Sequence, residues 1–336
     1  MITRIPAVLP LLALLLSSVA HGQERNGPAP LHPGPVGWAA VSGQGVATTT
    51  GGGSAGRVTV TSLEELKRLL NDEVPRVIIV SGRIETGPKA LEIRSHKTLL
   101  GADKGATIHG GLSIKNSANI IVRNLNIQGA GAGKDPADAI SARNSHHLWF
   151  DHLNVWDSRD GNLDLTQGSD YITVSWCKFW YTDPANDHRL SCLVGSGSDN
   201  GDTDMGKNRV TWHHNWFADL VRERMPRALF GQVHLFNNYY TSNGNNYCIG
   251  AGSFASVLIE QNCFIGVKDP HKFADGNHAY ITARDNLYEG TKGKQESGLG
   301  GKEGPLVEPF TKPPYPYTAD AAKDLPTLVT QGAGPK

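Results

Sequence analysis

The sequence predicts an all-β chain folded as a right-handed single-stranded parallel β-helix with an N-terminal capping helix. One observation is compositional: short apolar runs alternate with Gly, Asn and Asp, and 39 of the 336 residues are glycine. The other is a similar short step that recurs every 23 to 38 residues between Ile127 and Tyr288. A repeat of about 20 to 50 residues is typical of a stacked solenoid. No period contains a second helical pattern, which excludes leucine-rich and helical solenoids.

The first 22 residues have the pattern of a secretory signal peptide. Arg4 supplies a positive charge, residues 5–19 are apolar, and Ala20-His21-Gly22 places small residues at a cleavage site. The apolar stretch is too short for a membrane span. We therefore expect a secreted protein, extracellular or periplasmic, without a membrane anchor. Residues 23–36, rich in Pro and Gly, are predicted to be a disordered or extended lead.

A helix is predicted next, beginning at a capping box of Thr61 and Glu64. Its apolar residues share one face: Leu63, Leu66, Leu69 and Leu70. We expect this helix to cover the open end of the stack, because solenoids need a cap. The domain is expected to run over residues 37–336, with an extended tail over the coils from about residue 290.

The repeated steps end at an apolar or aromatic residue that we expect to point into the core: Ile127, Val155, Phe179, Phe217, Tyr240, Phe264 and Tyr288. Each coil of about 24 residues would hold about three short strands. An asparagine precedes the last four of these by two residues, at 215, 238, 262 and 286, and predicts a hydrogen-bonded ladder. The longest interval carries an insertion, roughly 182–208, which solenoids often place on the binding face.

The formal net charge is zero, so no global field directs the chain to nucleic acid or a membrane. We expect a monomer. In an oxidising compartment the four cysteines are predicted to form two disulfides, Cys177–Cys192 and Cys248–Cys263. The alternative is four buried free thiols. No CxxC spacing indicates zinc.

Residues 211–240 combine a His pair, three arginines and two Asn-aromatic steps. Alone, this segment could be two buried strands joined by a solvated basic loop. Upstream, however, lie three carboxylates, Asp138, Asp160 and Asp164. Basic residues facing several acids are a common way to bind an anionic substrate through a metal ion.

Several motifs in this order resemble the pectate lyase family. They are LWFDH at 148–152, RDGNLDLTQGSDYITVSW at 159–176, WHHNWF, RMPR and GQVHLFNNYY within 211–240, and TLLGADKG at 98–105. The resemblance covers about residues 37–290. It implies calcium-dependent β-elimination on polygalacturonate, an acidic polysaccharide. It also implies that Asp138, Asp160 and Asp164 bind Ca²⁺, whose preferred ligands are oxygens. On their own, aspartates at turns could equally cap backbone N–H groups.

The resemblance further implies that Arg224 is the catalytic base. This is unusual chemistry, because guanidinium rarely loses its proton in proteins. Arg227 is expected to contact a substrate carboxylate, which arginine can do bidentately. Arg189 and His213 are also assigned to substrate binding.

Two positions depart from the family pattern. Leu229 stands where pectate-cleaving members usually have an arginine, and Leu190 where they usually have a lysine, with Arg189 beside it. The alternatives are therefore a pectin lyase acting on methylated substrate and a non-catalytic polysaccharide-binding β-helix. A hydrolase would need a second pair of carboxylates, and the sequence shows none.

Overall fold

The structure is a computed structural model and describes Met1 and residues 34–336. Apart from Met1, the predicted signal peptide lies outside the described residues, as does the lead up to residue 33. Among the described residues, none of the helices has the length and apolar character of a membrane span.

The described chain is built mainly from short strands. Its helices are α1 (Leu63–Asn71), α2 (Gly201–Asp204) and α3 (Leu325–Gly332), with 3₁₀ turns at Trp38–Ala40 and Ala322–Asp324. Its strands, in chain order, are β1 (Arg57–Val60), β2 (Arg76–Val80), β3 (Arg83–Glu85), β4 (Leu91–Glu92), β5 (Lys97–Gly101), β6 (Thr107–His109), β7 (Leu112–Lys115), β8 (Ala118–Gln128), β9 (Ile140–Arg143), β10 (His146–Trp156), β11 (Gly161–Thr166), β12 (Asp170–Ser175), β13 (Lys178–Trp180), β14 (Leu190–Val194), β15 (Val210–His213), β16 (Trp216–Phe217), β17 (Arg227–Leu229), β18 (Gln232–Phe236), β19 (Tyr239–Tyr240), β20 (Ile249–Gly252), β21 (Ser256–Glu260), β22 (Cys263–Ile265), β23 (His271–Phe273), β24 (Ala279–Arg284), β25 (Leu287–Glu289) and β26 (Gly298–Gly300).

These strands wind into a parallel β-helix, which confirms the predicted fold class. One sheet has eight strands in the order β4-β7-β9-β11-β14-β17-β20-β23. Every pairing in it is parallel and joins one coil to the next. The other sheet has 18 strands, and its pairing between β24 and β26 is antiparallel. We call these the eight-stranded and the 18-stranded sheet.

The repeat seen in the sequence is the coil of the solenoid. All seven step-ending residues, from Ile127 to Tyr288, are consecutive register partners on the 18-stranded sheet. Their aromatic members stack inside the coil, with ring centroids 5.3 Å apart for Phe179 and Phe217 and 4.4 Å apart for Tyr240 and Phe264. The predicted core positions are confirmed because a parallel strand repeats the same side-chain direction in each coil.

The predicted asparagine ladder is also confirmed. The side-chain amide of Asn215 donates to Asn238 Oδ1 at 2.9 Å, that of Asn238 to Asn262 Oδ1 at 3.0 Å, and that of Asn262 to Asn286 Oδ1 at 3.0 Å. Each of the three acceptors also receives the backbone N–H of the preceding asparagine. The ladder therefore satisfies buried polar groups where the chain turns between strands.

Helix α1 packs its buried leucines, Leu66, Leu69 and Leu70, into the core beside β2 and β4. Its N-cap is Ser62, whose side chain accepts from the N–H of Glu65 at 3.4 Å. The predicted cap at Thr61 is thus wrong by one residue. Both hydroxyls precede a glutamate by three residues, so the sequence pattern alone fits either start.

The C-terminal segment lies against the 18-stranded sheet. Phe310 and Tyr315 pack with Trp38 in a small apolar cluster on this surface. Helix α3, which the sequence did not predict, packs with Leu325 and Val329 on the outward residues of β19 and β22.

The structure contradicts the predicted disulfides, because all four cysteines are buried free thiols. Cys248 belongs to the interior core, whereas Cys263 lies in the outer cluster beneath α3, so the wall of the solenoid separates them. Cys177 and Cys192 both face the interior, where the Cys177 thiol contacts the carbonyl of Ser175 at 3.2 Å. Burial raises the pKa of every one of these thiols. They behave as small core hydrophobes.

Candidate active site

The predicted acidic and basic residues meet on the outer face of the eight-stranded sheet. Along β11, Leu163 and Leu165 point into the core, so the intervening Asp164 points outward. Asp160 ends the turn before β11, and Asp138 ends the corresponding turn one coil earlier, before β9. The Asp138 carboxylate accepts the N–H of Gly161 at 3.3 Å. Stacking of consecutive coils therefore brings the three aspartates together.

A glycine makes room for the innermost carboxylate. A Cβ atom at Gly161 would lie 2.1 Å from Asp164 Oδ1, so a larger residue would collide with it. Asp164 also accepts the N–H of Leu193 at 3.1 Å, which ties it to β14. The side chain is 8% exposed.

The three carboxylates repel one another. Burial raises the pKa of Asp164 well above its usual value, and the charges of Asp138 and Asp160 raise it further. Burial likewise raises the pKa of Asp138, and the charge of Asp160 adds to this effect. Arg224 lowers the pKa of both groups without cancelling the shifts. It is therefore costly to keep these neighbouring carboxylates charged together, and a bound cation would offset that cost.

The donor set fits a hard cation such as calcium, which prefers carboxylate oxygens. In their present rotamers, no three His, Cys, Asp or Glu side chains of the described residues are arranged to hold a metal ion. Asp160 is already engaged, with its Oδ1 3.0 Å from His188 Nε2 and 3.7 Å from Arg224 Nη1. A bound cation would therefore compete with His188 and Arg224 for Asp160.

Arg224 stands beside the carboxylates on the loop that precedes β17. Its carbonyl accepts the N–H of Cys192 at 2.7 Å, and the carbonyl of Glu223 accepts the N–H of Ser191 at 3.0 Å. These bonds fix the loop to β14. The Arg224 side chain is 20% exposed, so it is accessible to a ligand from the groove.

Two further arginines present unsatisfied donors. Arg227 on β17 is in register with Leu193, which is in register with Asp164, so Arg227 lies two strands from Asp164 in the same column. Its Nε is buried and donates no hydrogen bond within the described residues. The same holds for the Nε of Arg189, although another nitrogen of that guanidinium donates to the carbonyl of Pro184. A buried donor without an acceptor is costly, which favours an anionic ligand here.

The two residues that depart from the family pattern, Leu190 and Leu229, are both buried. Leu190 is 7% exposed and Leu229 is 2% exposed. Leu229 covers Gly195 so closely that a Cβ atom there would lie 3.0 Å from the Leu229 Cβ. Both leucines are therefore packed in place, and neither position carries the positive charge that pectate-cleaving members usually have there.

His213 does not join this cluster. It ends β15 on the 18-stranded sheet, where its ring stacks on Phe236 with centroids 4.9 Å apart. Its Nδ1 lies 2.9 Å from His214 Nδ1, and His214 contacts Asp320 of the C-terminal segment. The structure does not place His213 with the other predicted substrate-binding residues, because β15 belongs to the other sheet.

The structure places several residues at or beside this cluster that were not predicted from the sequence. His188 contacts Asp160, and Arg143 Nη2 lies 3.9 Å from Asp138 Oδ2. Lys272 continues the column of Arg227 two coils further along. The spacing from 227 to 250 to 272 follows the coil repeat, so aligning the coils would have found it.

Chemically, the site can bind a cation and an acidic ligand together. Three carboxylates lie on one side, Arg224 Nη1 lies 3.7 Å from Asp160, and Arg227 lies two coils from Asp164 in the same column. Such an arrangement can hold an anionic sugar, stabilise charge that develops next to its carboxylate, and bring a nitrogen to a proton there.

The chain is similar to known proteins over most of its length. A sequence model of the family described as pectate lyase matches residues 28–287. The pectate trisaccharide-lyase of Thermotoga maritima is 33% identical over 366 residues, which cover 99% of this chain and 96% of that protein. Pectate lyase A of Emericella nidulans is 36% identical over 259 residues, covering 72% of this chain and 75% of that protein. The crystal structure of a Bacillus sp. N165 pectate lyase in complex with trigalacturonate superposes with a TM-score of 0.73 at 25% identity, covering 90% of this chain and 99% of that one.

Proposed function

Because the chain belongs to the pectate lyase family and is a polysaccharide lyase, we propose that it cleaves polygalacturonate by calcium-dependent β-elimination and releases unsaturated oligogalacturonides. The observation that carries this proposal is the cluster of Asp138, Asp160 and Asp164, with Arg224 Nη1 3.7 Å from Asp160, beside buried Nε donors of Arg189 and Arg227 that have no acceptor among the described residues. An acidic polymer supplies the acceptors, and a divalent cation offsets the aspartates.

Asp138, Asp160 and Asp164 would hold the calcium ion. When bound, calcium would neutralise the substrate carboxylate beside C5 and so make the C5 proton more acidic. Esterified galacturonate has no carboxylate to share with the ion, so the aspartates favour pectate over methylated pectin as the substrate.

In its neutral form, Arg224 would take the C5 proton; the electron pair of the C5–H bond would form the C4–C5 double bond, and the glycosidic oxygen would leave C4 and take a proton from water. Its Nη1 now lies 3.7 Å from Asp160, which acts as its counter-charge. A cation among the aspartates would pair with Asp160 in place of Arg224 and leave the Arg224 side chain available to the substrate. Arg227 would orient the sugar through its carboxylate, since its Nε donor is buried and unused within the described residues. Arg189 would give a second such contact.

The activity is tested by following the absorbance of the unsaturated product. Polygalacturonate and methylated pectin are each assayed with calcium and with a chelator. We expect activity on polygalacturonate that is lost with the chelator and restored by calcium. Chelator-resistant cleavage of methylated pectin would indicate a pectin lyase, and binding of either polymer without product would indicate a non-catalytic binding protein.

The base is tested by Arg224→Lys. Lysine keeps the charge but loses the planar fork and the reach of arginine. We expect kcat to fall by roughly 10²- to 10⁴-fold with KM nearly unchanged, as for a proton transfer lost from the transition state.

Arg222→Lys in the same loop is the matched control. Its guanidinium pairs at 3.1 Å with Asp187, whose side chain is 96% exposed. Because surface ion pairs contribute little, weakening this pair should leave kcat and KM close to the wild-type values. Wild-type kcat with a raised KM in Arg224→Lys would instead make Arg224 a binding residue.

We also propose that the chain is exported, on the strength of the signal-peptide pattern in residues 1–22. Mass spectrometry of the mature N-terminus tests this. A mature protein that begins at Met1 inside the cell would contradict export.

A further inference from the structure

The outward column that contains Arg227 continues beyond the predicted site. Arg227, Gly250 and Lys272 are register partners on β17, β20 and β23. Adjacent strands lie ~4.8 Å apart, so the backbones of Arg227 and Lys272 are about 10 Å apart along the groove. The two cations thus follow the same line, two coils from one another.

An aromatic ring occupies the space between them. A Cβ atom at Gly250 would lie 3.1 Å from Tyr247 Cε2 and 3.6 Å from Arg227 Cγ, so the glycine leaves room for the tyrosine ring. The ammonium of Lys272 lies 4.8 Å from the centroid of that ring. Tyr247 is 7% exposed and therefore firmly placed. A cation–π contact of this kind orients the ammonium without neutralising it.

Two acids on adjoining loops already accept hydrogen bonds from other side chains. Asp275 accepts the hydroxyl of Ser253 at 2.6 Å, and Glu223 accepts the side-chain amide of Asn246 at 2.6 Å. Within residues 34–336, no hydrogen bond or ion pair engages the ammonium of Lys272. A half-buried, oriented cation without a carboxylate partner favours an anion from outside the chain.

We propose that Lys272, held against Tyr247, is a second carboxylate-binding position that sets the length of oligogalacturonate this site prefers. The inference rests on the proposed function. An acidic sugar chain bound by Arg227 would reach Lys272 only if it extends two coils further along the sheet. Longer oligomers would then gain one charge-assisted contact that the shortest cleaved oligomer does not make.

The test compares Lys272→Gln with Lys268→Gln. Lys268 is exposed on the neighbouring loop and off the column, so its substitution changes the same charge without touching the proposed position. KM and kcat are measured on galacturonate oligomers of increasing length. For Lys272→Gln we expect KM to rise about tenfold on long oligomers, with kcat unchanged and the shortest cleaved oligomer unaffected. Lys268→Gln should match the wild type, and Lys272→Arg should retain the preference for long oligomers.

A loss in Lys272→Gln that is equal for all lengths, or absent at every length, would overturn the inference. Thermal melting of each variant shows whether an equal loss reflects unfolding. A wild-type protein without activity on any oligomer would refute the proposed function, whereas an active wild type with unaltered Lys272→Gln would refute only the role of Lys272.

Discussion

Substituting the central asparagine of the ladder should destabilise the solenoid. Asn238 is fully buried, and its amide donates to the carbonyls of Trp212 and Phe236 at 2.9 and 3.2 Å and to Asn262 Oδ1 at 3.0 Å. Its Oδ1 accepts both the backbone N–H and the side-chain amide of Asn215, at 3.1 and 2.9 Å. Asn238→Ala removes all five hydrogen bonds at once.

The expected cost follows from which partners remain unsatisfied. The backbone N–H of Asn215, which is fully buried, loses its acceptor. A buried donor without an acceptor costs about 1–3 kcal/mol. The Asn215 amide also loses one acceptor but keeps the Val174 carbonyl. With the lost donors and the small cavity, we expect the free energy of unfolding to fall by about 3–5 kcal/mol.

Chemical denaturation followed by circular dichroism measures this change. The matched control is Asn286→Ala at the end of the ladder. Asn286 accepts the same two donors from Asn262 but is partly exposed, so water can replace it at a cost of about 1 kcal/mol. Equal losses in the two variants, or a loss below about 1 kcal/mol in Asn238→Ala, would refute the view that the ladder stabilises by satisfying buried groups.

Three further outcomes are expected. Asp164→Asn should weaken calcium binding in calorimetry and recover activity at high calcium; an unchanged calcium dependence would remove Asp164 from the ligands. Burial raises the pKa of Glu260, but hydrogen bonds from His234, Tyr317 and Arg284 outweigh it and lower that pKa from 4.5 to about 2. The stability from this carboxylate should therefore be complete above about pH 4.5 and lost as the pH falls towards about 2, and Glu260→Gln should flatten that part of a stability–pH curve. All four cysteines should resist thiol reagents in the native protein and react after unfolding without reductant; a recovered disulfide peptide would contradict the structure.

Much of the fold could be predicted because a parallel solenoid repeats one local pattern. The repeated steps that end at Val155, Phe179 and Phe217 are register partners in the structure, as their spacing predicted. Each coil places the equivalent residue at the same point of its turn. The predictions that failed concern features that do not repeat from coil to coil. Helix α3 depends on an outer apolar surface formed by Tyr239 and Cys263, which single-strand patterns do not reveal.

The candidate site was predictable in part. Asp138, Asp160 and Asp164 lie in turns and strands of successive coils, so the repeat and the family motifs together predict that they meet. His213 was misplaced because it stands in the same sequence segment as Arg224, although the chain crosses to another sheet between them. Nearness in sequence is a poor guide in a solenoid, where a residue's neighbours lie one coil away.

The coil, its core positions and the asparagine ladder could be predicted from the sequence because they follow from periodicity, and the family motifs added the three aspartates and Arg224 as candidate site residues. Which outward residues share a column became visible only in the folded chain. The separation of Cys248 from Cys263 by the solenoid wall and the alignment of Arg227 with Lys272 both depend on register between coils. Register is a property of packed strands, and a shift of one residue would turn every side chain to the opposite face.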